Sequence, residues 1–250
     1  MTRRGIRFAL TAALFVVFAP GTVLAQTGTI VDWGPNSYAY EPGYNHTTHL
    51  SVPGSPLNAI GVVNDFAGNL APLEPIAPGS EYTYWITNLV AGPTSVTGVS
   101  VKVYRTVYTT SNPGGDNFFL YQSPADANFG INPPNATAPS TFNNGLLVLS
   151  GRFQTLTVDV TVLAASNTVT GGNADTGTPS VVNGVFTGGS EFGRVSINRQ
   201  GCPFRITGGW LAKPGNFPTG YSAHFDGKLD IDCPTATTPA TWGRIKGQYH

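Results

Sequence analysis

Charge is scarce in this chain. Charged residues make up 10% of its 250 positions, against about 25% in ordinary soluble domains. After residue 100 the lysines and arginines are scattered from Lys102 to Lys246 and form no cluster. A nucleic-acid partner needs clustered cations, because binding is driven by the release of counterions from phosphates. The composition therefore argues against nucleic-acid binding.

Catalytic motifs are also missing. The chain has no Gly-x-Ser-x-Gly turn and no His-Glu-x-x-His pair, the signatures of two large groups of hydrolases. A glycosidase needs two carboxyl groups across a cleft, but the few glutamates and the dispersed aspartates single out no such pair. The sequence favours a non-enzymatic protein, for which we nominate no catalytic residue and no obligatory cofactor.

The first 25 residues have the pattern of a secretory signal peptide. Arg3, Arg4 and Arg7 precede an apolar run over residues 8–19, and Val23 and Ala25 occupy the small-residue positions before a cut at Gln26. A membrane span needs about 20 apolar residues, so this run is too short to remain as an anchor. We predict an exported protein, extracellular, at the cell surface or in the periplasm, with no transmembrane span after cleavage.

Cysteine is limited to Cys202 and Cys233. Exported chains fold in an oxidising compartment, where two lone cysteines pair. Neither residue has a Cys-x-x-Cys partner or an adjacent histidine, so a metal-binding or nucleophilic thiol lacks support. We predict a disulfide that closes a loop of about 31 residues and stabilises the fold by roughly 3–4 kcal/mol.

Helix signals are nearly absent, because 31 glycines and 20 prolines interrupt most stretches long enough for a 3.6-residue period. Period-two alternation recurs instead, most clearly over residues 81–89, 156–162 and 221–233. About ten such runs predict one all-β domain over residues 26–233, an antiparallel β-sandwich. A small β-barrel or two small β domains are the alternatives. Residues 111–145 are predicted to be a long loop.

The last predicted strand places three carboxylates, Asp226, Asp230 and Asp232, on one face with Lys228. Oxygen ligands suit Ca²⁺, although no calcium-loop spacing accompanies them. The competing interpretation is a solvated outer face that protects an edge strand. His46 and His49 are read as surface histidines and not as metal ligands.

Aromatic residues form two groups in the sequence. Exposed rings bind sugars and protein partners, whereas enclosed rings fill the ends of a sandwich, and the sequence leaves both roles open. One group lies near the start of the predicted domain and the other in the predicted long loop: Trp33, Tyr38, Tyr40 and Tyr44, then Phe118, Phe119 and Tyr121.

Beyond Cys233, residues 234–241 read as a Pro/Thr linker and residues 242–250 as a separate aromatic and basic motif. Trp242, Ile245 and Tyr249 recur at spacings of three and four, which would place them on one face of a short helix. We interpret these three residues as a sorting or docking motif, with a frayed terminus as the alternative.

These observations lead to two hypotheses. The first is an exported, non-enzymatic β-sandwich that acts as a cell-surface, adhesive or envelope-associated structural module, with an envelope or extracellular macromolecule as its partner. The second is a carbohydrate-binding or carbohydrate-active β protein that uses an aromatic patch, with or without Ca²⁺, and has a glycan as its partner.

Overall fold

The structure is a computed structural model that describes residues 26–130, 139–177 and 183–233. The predicted leader, linker and C-terminal motif, including Trp242, Ile245 and Tyr249, lie outside these residues. Short 3-10 helices occupy Gly68–Leu73 and Phe192–Val195. The strands are β1 (Gln26–Tyr40), β2 (Tyr44–Asn45), β3 (Leu50–Ser51), β4 (Pro56–Phe66), β5 (Ser80–Ala91), β6 (Ser95–Thr97), β7 (Val101–Thr110), β8 (Phe118–Pro124), β9 (Leu146–Phe153), β10 (Thr155–Leu163), β11 (Thr168–Asp175), β12 (Gly184–Gly188), β13 (Ser196–Ile197), β14 (Gln200–Gly201), β15 (Pro203–Leu211) and β16 (Ala223–Cys233).

Twelve strands form one antiparallel sheet in the order β12-β9-β8-β5-β4-β1-β16-β15-β11-β10-β7-β6. Two strands fork. Residues 80–86 of β5 pair with β8 and residues 89–91 with β7, while β15 pairs with β12 at residues 203–204 and with β11 at residues 207–209. Through these second pairings, β5 contacts β7 and β15 contacts β12, so strands from opposite ends of the order are joined and the sheet folds back around a core. The predicted all-β, sandwich-like fold is confirmed.

The core is built by period-two alternation, as the sequence predicts. In β16 the residues from Ala223 to Cys233 alternate between buried and more exposed positions, and in β10 the apolar members of the alternation are buried. One main cluster of buried side chains draws on strands from both halves of the chain, from Ile30 in β1 to Ile231 in β16. Apolar burial along these faces is the main contribution to stability.

Two parts of the chain differ from the simple alternation rule. The prediction of a continuous loop over residues 111–145 was wrong, because β8 occupies Phe118–Pro124. Phe118 and Leu120 face the core while Phe119 and Tyr121 are half-buried on the opposite face, so apolar residues on both sides hide the period. In β7 the valines face outward, and the buried side chains are those of Thr106 and Tyr108.

A close approach between strands explains why glycine stands in the middle of β16. Trp33 of β1 is fully buried and lies opposite Gly227. A methyl group at Gly227 would lie 2.8 Å from Nε1 of Trp33. Gly227 therefore leaves room for the indole against Tyr84 and Phe225, at centroid distances of 4.6 and 5.7 Å. Gly208 of β15 is the cross-strand partner of Gly227, and a methyl group at Gly208 would lie 2.2 Å from the Asp226 carbonyl oxygen.

The predicted disulfide between Cys202 and Cys233 is confirmed, with a Cα–Cα distance of 5.0 Å. Both cysteines are buried. The bond joins the segment that enters β15 to the end of β16, and Gln26 at the start of β1 pairs with Cys233. Among the described residues, no helix is long and apolar enough to cross a membrane.

Candidate functional site

The predicted acidic face of β16 exists, and Asp230 within it has local partners. Asp230 accepts a hydrogen bond from the Thr29 hydroxyl at 2.7 Å and lies 3.6 Å from the Lys228 ammonium. Asp226 is exposed and Asp232 is half-buried. Within the described ranges, no group of three or more His, Cys, Asp or Glu side chains is placed to hold a metal ion. The structure therefore gives Ca²⁺ binding by this trio no coordination site.

The acidic residues of β16 belong to a larger surface, which we call the charged face. In β10 and β7, Asp159 receives two hydrogen bonds of 2.8 Å from Arg105. In β11 and β15, Asp175 receives a hydrogen bond of 2.9 Å from Nε of Arg205. The charged face comprises Arg105, Asp159, Asp175, Arg205, Asp226, Lys228, Asp230 and Asp232.

Two carboxyl groups in this part of the sheet have shifted pKa values. Burial raises the pKa of Asp32, and the carboxylates of Asp226 and Asp65 add to this, against the opposing charge of Lys228. Burial would also raise the pKa of Asp175, but hydrogen bonds from Arg205 and the Gly177 amide, with the Arg205 charge, lower it overall. The charged face thus contains the paired ions of Asp175 and Arg205, and its residue Asp226 adds to a group of carboxylates with the neighbouring Asp32 and Asp65.

The aromatic group in and just after β1 divides between two environments. Trp33 belongs to the main core. Tyr38 and Tyr40 are half-buried on the other side of the sheet, beside a small cluster formed by Ile60, Phe142 and Tyr221. These placements agree with a role in packing, and the open surface of this group is small.

The small cluster is covered by a segment that we call the flap, residues 125–130 and 139–145. Phe129 of the flap contacts Tyr38 at a centroid distance of 4.9 Å and Phe142 at 4.8 Å. The amides of residues 126 and 127 donate to Oε1 of Glu81 at 3.0 and 2.7 Å. The carbonyl of Phe142 accepts a 2.8 Å hydrogen bond from the Thr83 hydroxyl. The flap is therefore fixed to the outer face of β5 and β1.

Beside the flap lies a group of rings that we call the aromatic strip: Trp85, Phe119 and Tyr121. Trp85 and Phe119 are cross-strand partners in β5 and β8, stacked at 5.6 Å, and Phe119 and Tyr121 are stacked at 6.4 Å. All three are half-buried and face away from the core. Phe118, by contrast, is fully buried.

Trp85 was not among the predicted site residues, although the sequence contains a signal for it. In the alternation of β5 it shares the outward face of Glu81, Thr83 and Thr87, where polar residues are expected. A tryptophan on the polar side of a strand is the anomaly that identifies the strip. The structure brings it together with Phe119 and Tyr121, residues that the sequence had assigned to a loop.

A buried carboxyl group that sequence reasoning missed lies just after β1. Glu41 is 3% exposed, and its Oε2 accepts hydrogen bonds from the Tyr108 hydroxyl at 2.6 Å and the Ser51 hydroxyl at 3.1 Å. Its Oε1 is buried without a hydrogen-bond partner among the described residues. Burial raises the pKa of Glu41, and the hydrogen bonds from Tyr108 and Ser51 oppose this in part.

The segment after Glu41 carries Tyr44 and the two histidines. Tyr44 packs against the main core and contacts His46 edge-on at a centroid distance of 4.9 Å. The reading of His49 as a surface residue was wrong, since it is 2% exposed. Its Nε2 lies 3.2 Å from Oδ1 of Asn167, and its ring contacts Tyr104. These contacts attach residues 41–51 to the edge of the sandwich.

A cleft of about 650 Å³ lies where β7, β9 and β12 meet. Its walls include Thr110, Arg152, Gln154 and Asn183, and Arg152 donates to the Gly114 carbonyl at 3.0 Å. The volume falls in the range of small-molecule pockets, about 300–1,000 Å³. Among the residues that the structure describes, no carboxylate and no aromatic ring of the strip lines the cleft.

No protein family, no curated protein and no solved structure matches the chain.

Proposed function

We propose that this protein is an exported, non-enzymatic β-sandwich that serves as an adhesive or envelope-associated binding module, and that the aromatic strip is its contact surface. The observation that carries the proposal is the position of the strip. Phe119 and Tyr121 belong to neither cluster of buried residues, and Trp85 packs against the margin of the small cluster. The three rings lie on adjacent strands in the interior of the sheet.

The setting of the strip supports a binding role. Neighbouring strands hold β5 and β8 on both sides, so the rings are presented on a rigid surface and little ordering is required when a partner arrives. Rings of this kind contribute both apolar burial and polar contacts at interfaces. Export, predicted from the leader, places the surface among envelope and extracellular macromolecules.

The test measures binding of the exported protein to washed envelopes of the producing cells. We expect Phe119→Ala to weaken binding at least tenfold, because it removes the central ring of the strip. The matched control is Val107→Ala, which removes an exposed apolar side chain from an outward position of β7 and should leave binding unchanged.

Thermal unfolding of both variants must show that the fold is retained. If Phe119→Ala is unstable, Tyr121→Ala tests the same surface from its margin. Envelope binding by a folded strip variant that equals binding by the unaltered protein would show that the contact surface lies elsewhere and would remove the proposal.

A further inference from the structure

We propose that β6 pairs edge to edge with the β6 strand of a second copy of this chain, so that two sandwiches share one continuous sheet. This surface is distinct from the aromatic strip, and the proposal is independent of the function assigned to the strip. It depends on three properties of the edge: the direction of its backbone groups, the apolar side chains around it and the lack of charge nearby.

β6 is an open edge of the large sheet. It ends the strand order, and among the described residues it pairs with β7 alone. All three of its residues are exposed. Soluble proteins protect such edges with charged side chains, prolines or bulges, and β6 contains none of them. The outer side of β6 is therefore accessible to another strand.

The backbone of Val96 is directed toward that outer side. The carbonyls of Arg105 and Val107 in β7 accept hydrogen bonds from the Ser95 hydroxyl at 3.4 Å and from the chain just before β6 at 2.9 Å, so both are turned toward β6. Ser95 is the cross-strand partner of Arg105, and Thr97 pairs two residues further along β7. Because bonding direction alternates along a strand, Ser95 and Thr97 bond to β7, and the N–H and C=O of Val96 are left for a further strand.

Exposed aliphatic side chains are concentrated around this edge. Of the eight large hydrophobic side chains that are exposed among the described residues, six lie in β6, in the adjoining turn and strand ends, or in the segment after β3. The most exposed is Val99, at 84%. Concentrated exposed apolar side chains mark interaction sites. We call these six residues the edge patch: Leu50, Val52, Val96, Val99, Val101 and Leu163.

Two contacts place the patch around β6. Val101 at the start of β7 is the cross-strand partner of Leu163 at the end of β10, next to the turn that carries Val99. The amide of Ser51 donates to the Thr94 hydroxyl at 3.1 Å, which holds residues 50–52 beside the start of β6. The patch therefore borders β6 at both of its ends.

The patch and β6 belong to parts of the chain without ionic side chains. No Asp, Glu, Lys or Arg occurs in residues 42–64, 82–101 or 160–174. Arg105, opposite Ser95, is paired with Asp159 through two hydrogen bonds of 2.8 Å. Two identical surfaces bring like charges together when they meet, which opposes association. These segments carry no such charges, so the edge is compatible with its own copy and offers a charged partner nothing to pair with.

A twofold axis at Val96 makes the edge complementary to itself. Antiparallel pairing places Val96 opposite Val96 of the second copy, where the two residues exchange both backbone hydrogen bonds. Ser95 then lies opposite Thr97 of the second copy, and hydroxyl pairs of this kind stabilise neighbouring strands. A twofold interface repeats each contact. Because the strand is short, most of the affinity comes from the edge patch, and the dimer is weaker than complexes that bury about 800 Å² on each partner.

The experiment is sedimentation velocity of the exported protein from low micromolar to submillimolar concentration, where we expect a monomer–dimer equilibrium. Val96→Lys and Val96→Glu should each weaken dimerisation at least tenfold, because like charges meet at the axis. An equimolar mixture of the two variants should restore it, because lysine then meets glutamate. The matched control is Leu146→Lys, which changes an exposed aliphatic residue of β9 outside the edge patch and should leave dimerisation unchanged.

Thermal unfolding of each variant checks that the fold is retained. If the Val96 variants unfold, Val99→Lys tests the edge patch from the turn and should also weaken dimerisation at least tenfold. A protein that stays monomeric throughout the range would overturn the second copy and leave a strand of a different protein as the occupant. Dimerisation that Val96→Lys does not weaken, or that the mixture of folded Lys and Glu variants does not restore, would overturn pairing through β6.

Discussion

The outer surface of the sheet has two regions of opposite chemical character, and β1 and β16 run through both. Where β16 begins, His224 lies opposite Tyr38, beside the flap and its aromatic cluster. Nine residues later β16 ends in the charged face. A single strand can thus keep one uninterrupted core side while its other side changes from aromatic to ionic.

The difference shows how each region is held together. Beside the flap, rings lie against rings, and stability comes from apolar burial. On the charged face, ion pairs near water contribute at most about 1 kcal/mol each, so this region depends on the strands beneath it and on the disulfide. The two regions should therefore respond to different perturbations.

The largest effect should come from removing the disulfide at the charged end. We expect the double substitution of Cys202 and Cys233 by alanine to lower the free energy of unfolding by about 3–4 kcal/mol, because the unfolded chain regains the entropy of a 31-residue loop. Denaturant unfolding of the oxidised protein and the variant measures the difference. Equal midpoints would mean that the β15–β16 pairing alone holds this end.

The next largest effect should be local to the flap. Phe142 is fully buried, and Phe142→Ala should cost about 3 kcal/mol through lost burial and the cavity left behind. The amides of residues 126 and 127 donate hydrogen bonds to the Glu81 carboxylate. Hydrogen exchange at these two amides should accelerate as the flap loosens. Exchange in β10 serves as the internal control. Equal acceleration in both places would show that the flap is continuous with the main core.

The smallest effect should be a difference in pH dependence between Glu41 and Asp175. The raised pKa of Glu41 favours the folded state while its carboxyl is protonated, so that stabilisation is complete below about pH 4 and is lost as the pH rises through the folded value. The lowered pKa of Asp175 has the opposite sign. Its stabilisation is present above about pH 4 and is lost as the pH falls through the folded value.

Two conservative substitutions separate these effects in measurements of unfolding free energy against pH. Relative to Glu41→Gln, the unaltered protein should lose stability from about pH 4 upward, and relative to Asp175→Asn it should lose stability below about pH 4. Parallel curves for the unaltered protein and a variant would show that the carboxyl in question has the same pKa in the folded and unfolded chain.

Sequence reasoning succeeded where one face of a strand is polar and the other apolar. β10 and β16 alternate in this way, and the cysteine pair followed from its compartment and its isolation. It failed for β8, where Phe118 and Phe119 are apolar neighbours on opposite faces and leave no period to read. Strand order and the forks of β5 and β15 depend on pairings between distant residues, which local patterns do not encode.

The candidate site shows the same division. Phe119 and Tyr121 could be nominated from the sequence because aromatic residues are conspicuous, but their stacking with Trp85 depends on the register between β5 and β8. The hydrogen-bond partners of Glu41 could not be predicted from the sequence. Ser51 and Tyr108 are 10 and 67 residues away along the chain and contact Glu41 only in the folded structure.

The disulfide also determines how this domain would carry mechanical tension. Cys233, the last residue of β16, is joined covalently to the segment that begins β15. A force applied at Cys233 is therefore divided between two neighbouring strands, and β16 cannot separate from β15 one hydrogen bond at a time from this end. The domain would therefore resist shear at the point where such a force enters.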